Sequence, residues 1–134
     1  MNHDWREIAL ARVAPEFFVP DVDDAVQFYT DRLGFHVWRI QREVERAVFA
    51  VLTFERAVVM FAHDILYAGG PPSGARGVGV STRLMVGDVD AVYRRCQENG
   101  ITVVHDIADR GYGLRDFTIE DLNGFRLRFA SPLR

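Results

Sequence analysis

Apolar residues recur along this chain with two periods, and the periods alternate in the same order twice. Val22, Ala25, Val26, Tyr29 and Leu33 fall three or four residues apart, the spacing that puts side chains on one face of an α-helix. Asp21 stands before them as an N-cap, with Asp24 three residues on as an imperfect capping box. Gly34 follows as the residue that ends the helix in a left-handed conformation. Ahead of this helix "RVAPEFFV" is a short run rich in β-formers. After it come three more strand-like runs, "FHVWRI", "RAVFAVLTF" and "AVVMFAH". The predicted order is β-α-β-β-β.

"LYAGGPPSGARG", with four Gly and two Pro, then breaks both periods and reads as a linker, with a lid over a cleft as the sharper alternative. Beyond it the plan starts again. "VSTRLMV" is a strand, Asp88 an N-cap, and Val89, Val92, Tyr93 and Cys96 share a helical stripe that Gly100 closes. "ITVVHDI", "RDFTIED" and "GFRLRFA" follow as strands, the last two joined by "DLNG", whose Asn-Gly suits a tight hairpin. The Asp-Val-Asp at each helix start recurs after 67 residues, half of the 134-residue chain. An internal repeat of this kind dictates the fold. The pattern predicts an α+β protein of two βαβββ modules, about 10–64 and 78–131, joined by a linker over 65–77. A sheet with one helix on one face leaves its other face free, and two such sheets would curve around a concave cleft.

Composition narrows the classes without choosing among them. A chain that is 49% hydrophobic can bury a core, and a net charge of −3 gives no electrostatic reason to bind nucleic acid. No apolar run is long enough to cross a bilayer, and the first ten residues have no signal-peptide pattern, so a cytoplasmic protein without membrane partners is expected. The single cysteine, Cys96, cannot form an internal disulfide and reads as a buried structural thiol.

Two stretches carry a resemblance. "PEFFVPDVDDAVQFYTDRLGF" resembles the opening of the vicinal-oxygen-chelate superfamily, which includes glyoxalase I, extradiol dioxygenases, and fosfomycin- and bleomycin-resistance proteins. "YGLRDFTIEDLNGFRLRF" resembles the closing strand pair of the same group. The resemblance spans almost the whole chain and implies paired βαβββ modules, a homodimer and a small-molecule ligand. It also implies a divalent metal in the enzymes of the group, held by His, Glu or Gln on the first and last strands of each module.

The positions that the resemblance assigns to those ligands are Ala14, Met60, Ser81 and Arg128 here. A methyl has no lone pair, a thioether suits soft metals, and a guanidinium repels a cation. No metal and no cofactor are therefore expected, which puts the chain nearest the metal-free bleomycin-resistance-like members. His3, His36, His63 and His105 have no ligating spacing and read as surface or loop residues. With Ala14, Ser81 and Arg128 facing the cleft, alternation adds Glu16, Phe18, Arg83, Met85 and Arg126 to that face. Met60 shares it, Tyr112, Trp38 and Phe49 are further candidates, and Arg115 either reaches a ligand or anchors its loop to an acid. Glu16, Arg83 and Arg128 are expected to converge, with Glu16 holding Arg128 because a buried ion needs a partner.

Three functions compete. One is a metal-free protein sequestering an amphipathic or anionic ligand, as in antibiotic resistance. The second is a metal-dependent enzyme such as a glyoxalase-like lyase. The third is a metal-free enzyme with Glu16 as the general base. The candidate ligand-binding residues are Glu16, Phe18, Met60, Arg83, Met85, Tyr112, Arg115 and Arg128, and Glu16 is the one candidate catalytic residue.

Overall fold

Each half of the chain folds around one helix laid on a four-stranded sheet. The computed structural model describes residues 4–7 and 13–134, so His3 and the expected start of the first strand at Arg12 lie outside the described residues. The chain divides into two compact units, one ending at Ser73 and the other beginning at Gly74.

In the first unit β1 (Glu16–Val19) leads to α1 (Val22–Gln27), which continues as a π-helical turn over Phe28–Leu33. The strands β2 (His36–Glu43), β3 (Arg46–Phe54) and β4 (Ala57–His63) follow. Their spatial order is β1-β4-β3-β2, with β1 parallel to β4 and the other pairs antiparallel. Asp21 caps α1 as its sequence position demands, its carboxylate accepting from the Asp24 amide at 3.0 Å. The apolar stripe packs on one sheet face, where Tyr29 lies edge-on to Phe61 at 4.7 Å and to Phe35 at 5.1 Å. The widened last turn coincides with Thr30, whose hydroxyl donates back to the Val26 carbonyl at 2.9 Å. Gly34, at φ 87°, then ends it.

The second unit repeats the topology. It has β5 (Thr82–Met85), α2 (Val89–Glu98), β6 (Thr102–Asp109), β7 (Leu114–Glu120) and β8 (Arg126–Pro132), in the order β5-β8-β7-β6. Asp88 accepts from the Ala91 amide at 3.0 Å, the counterpart of the Asp21 cap. Val89, Val92 and Cys96 of the helix and Leu84, Phe117, Ile119, Leu127 and Phe129 of the sheet are all buried. Burying such side chains contributes roughly 1.5–3 kcal/mol each, which makes this stripe the main force seating the helix.

"DLNG" makes the expected tight hairpin, with a loop one residue longer than a two-residue turn. The Asp121 amide donates to the Phe125 carbonyl at 2.8 Å and the Gly124 amide to the Asp121 carbonyl at 3.2 Å. The Asp121 carboxylate closes the wider loop, accepting from the amides of Asn123 at 2.8 Å and Phe125 at 2.9 Å. The outermost strands β2 and β6 each carry two register shifts, at Val37/Arg39 and Gln41/Arg42 and at Val103/His105 and His105/Ala108. Among the described residues no helix is long and apolar enough to cross a membrane.

Candidate functional site

Register places the charges of the second unit on the sheet face away from its helix. Arg83 lies opposite Arg128 in the parallel β5–β8 pair, Arg128 opposite Thr118 in β8–β7, and Thr118 opposite His105 in β7–β6. These four positions form one transverse row. The neighbouring row holds Met85, Ala130, Asp116 and Ala108. Strand alternation sends the intervening Leu84, Phe129 and Phe117 to the core side, and all three are buried.

At the centre of this face is Asp116, a carboxylate with no exposed surface. Its Oδ1 accepts from Arg110 Nε at 2.8 Å, its Oδ2 accepts from the Tyr112 hydroxyl, and Arg83 stands 3.8 Å away. Burial works to raise this carboxyl. The hydrogen bonds from Tyr112 and Arg110 and the charges of Arg128 and Arg110 outweigh burial and hold it below the usual carboxylate value. Arg83 also lies over the Tyr112 ring, 5.4 Å from its centroid.

Arg128 is held differently. Its Nε donates to Thr118 Oγ1 at 2.9 Å, its Nη1 to the Tyr112 hydroxyl at 3.4 Å, and its Nη2 lies 3.3 Å from His105 Nδ1. Within its own module its direct partners are therefore two hydroxyls and an imidazole ring, none of them a carboxylate. Asp116 is near enough to feel its charge but makes no ion pair with it. Three guanidiniums against one already shared carboxylate leave this face positive, and Met85, about half exposed, and the Tyr112 ring give it an apolar border.

The structure separates Arg115 from this group. Its position on β7 is shared with Phe117 and Ile119, the helix side. There its guanidinium binds Asp90 on α2 at 3.0 Å and Asp109 on β6 at 3.1 Å. That is the anchoring alternative the sequence left open. His63 accepts from the Ile65 amide at 3.1 Å and caps a short 3-10 turn, Asp64–Leu66. Sequence reasoning missed Arg110, Asp116 and His105. Asp116 is two residue pairs along the hairpin from the Arg128–Thr118 pair, a relation that becomes countable once the loop length is known.

In the first unit the equivalent face carries Glu16 opposite Met60, Met60 opposite Val51, and Val51 opposite Arg39. Glu16 is exposed and Met60 half-buried. Phe18 meets the ring of Tyr67 edge-on at 4.8 Å. Trp38, at a register shift, donates its indole N–H to Glu7 at 3.1 Å and meets Trp5 at 5.1 Å, so it holds the N-terminal 3-10 turn Trp5–Glu7.

At the positions that the resemblance assigns to metal ligands, each unit by itself offers side chains that suit a divalent cation poorly. The second has Arg128, a fixed positive charge with Arg83 beside it, and the first has Met60, a thioether. Among the described residues no three His, Cys, Asp or Glu side chains are grouped to hold an ion.

A family model described as the glyoxalase/bleomycin resistance protein/dioxygenase superfamily matches residues 9–129. The chain is 28% identical over 127 residues to an uncharacterized protein of Mycobacterium bovis, covering 91% of this chain and 84% of that one. It is equally similar to an uncharacterized protein of Mycobacterium tuberculosis, covering 91% and 75%. Among solved structures, TioX from Micromonospora sp. ML1 superposes with a TM-score of 0.73 at 25% identity, covering 90% of this chain and 98% of that one. A superfamily member from Sphaerobacter thermophilus superposes with a TM-score of 0.70 at 22% identity, covering 88% and 94%.

Proposed function

The chain belongs to the glyoxalase/bleomycin resistance protein/dioxygenase superfamily, and on that premise we propose that it binds and sequesters an anionic or amphipathic small molecule without a metal. One observation carries this reading. The Arg128 guanidinium is oriented by Thr118, Tyr112 and His105, none of them an acid, so its charge is positioned but not neutralised. A carboxylate or phosphate arriving there gains a charge-assisted hydrogen bond while the protein has little to reorganise. Arg83 adds a second cation in the same row, and Tyr112 and Met85 offer apolar surface to the rest of the ligand. Glu16, Phe18 and Met60 are proposed as ligand contacts on the equivalent face of the first module. A homodimer and a role in antibiotic resistance belong to the same reading and rest on the family resemblance alone, and a cytoplasmic setting rests on the sequence pattern.

The test is a titration with hexanoate followed by the amide NMR signals of β7 and β8. Saturable shifts that vanish in Arg128→Leu while the fold persists are the expected result. Absence of binding, or a tightly held divalent ion in the purified protein together with lyase turnover, overturns it.

A further inference from the structure

One end of the polar face of the second unit opens into a recess of about 540 Å³, lined by the loop 75–81 together with Glu120, Gly124 and Arg126. This loop includes the end of the Gly- and Pro-rich stretch that the sequence marks as a linker or a lid. It is seated against the β7–β8 hairpin at Gly77, whose φ is +73°. A Cβ at Gly77 would stand 2.8 Å from the Gly124 carbonyl oxygen and 3.0 Å from the Phe125 Cα, so only glycine allows the two backbones to touch. At this point the loop is a wall set by backbone contact.

Glu120 and Arg126 are directly opposed across β7 and β8. They occupy the row next to Thr118–Arg128, on the same face, roughly 7 Å away along the strands. Opposite charges so placed ordinarily pair. Among the described residues these two side chains do not pair, and neither side chain makes another hydrogen bond or ion pair.

We propose that this recess is a second ligand subsite, built for a zwitterionic α-amino acid group on a ligand whose anionic end lies at Arg128. The proposal rests on the anion-binding reading above. A carboxylate answers the Arg126 guanidinium and an ammonium answers Glu120. A group with one charge would satisfy one side chain and face the other with nothing. The row spacing of roughly 7 Å asks for about five carbon–carbon bonds between the two ends, which makes the ligand class an elongated amino diacid or its amide-capped equivalent.

Three probes of the same length separate the terms: hexanoate, adipate and L-2-aminoadipate, each titrated by NMR into the intact chain and its variants. Aminoadipate is expected to bind at least tenfold tighter than either of the others. Glu120→Gln is expected to remove most of that gain over adipate and to leave hexanoate unchanged. Gly77→Ala, which pushes the wall away, is expected to act like Glu120→Gln. If aminoadipate binds no tighter than hexanoate, or its advantage survives in Glu120→Gln, the second subsite is overturned while the Arg128 site stands. If hexanoate itself gives no shifts that depend on Arg128, both proposals fall.

Discussion

Arg110 donates its Nε to the wholly buried Asp116 across 2.8 Å. That contact is the fixed point from which the rest of the polar face is arranged, because Tyr112 and Arg83 orient on the same carboxylate. Removing the charge leaves a guanidinium with 18% side-chain exposure facing a neutral amide. Asp116→Asn is therefore expected to cost about 3 kcal/mol, and a thermal melt should fall by roughly 10 °C.

The same carboxyl gives a pH signature. Its folded value is depressed, so its contribution to stability is complete above the ordinary carboxylate value near 4 and is lost as pH falls through the folded value. The stability gap between the wild-type chain and Asp116→Asn is expected to hold from about pH 7 to pH 5 and to close below about pH 4. Urea denaturation across that range measures it. A gap that stays constant down to pH 2 contradicts the assignment.

Tyr112 links the two arginine sites through one oxygen, donating to Asp116 and accepting from Arg128. Tyr112→Phe keeps the ring under Arg83 but removes both bonds. It should lower stability by about 1 kcal/mol. Hexanoate affinity should fall severalfold, because Arg128 loses one of its three restraints.

Cys96 lies fully buried in the α2 stripe, and burial pushes its thiol up to about 11, against a smaller pull from Arg95. A thiol in that state is a poor nucleophile at neutral pH. Labelling by a disulfide reagent at pH 8 is expected to be slow in the native chain and complete within minutes in denaturant.

How much of this was legible in advance follows from which interactions are local. The helices, their Asp caps and the pairing of core against polar positions on β1, β5 and β8 were readable, because spacing and alternation within one segment decide them. Register between strands was not. Arg128 announces its face by alternation, yet its partners Thr118 and His105 come from other strands, and β6 is shifted in register on both sides of His105. Alternation along "ITVVHDI" therefore cannot assign His105 to a face. Asp116 was missed for a related reason: an acid in a strand reads as solvent-facing until Arg110 and Tyr112, several residues away, are seen to enclose it. Arg115, one residue earlier, points the other way and binds Asp90.

The uneven outer strands have a consequence for the behaviour of the chain in crowded solution. A strand whose spacing slips twice, as β2 and β6 both do, cannot offer a regular ladder of amides and carbonyls to an incoming segment. Fibril growth from these borders would have to straighten the slips first, so each module blunts one of its two sheet edges against runaway polymerisation.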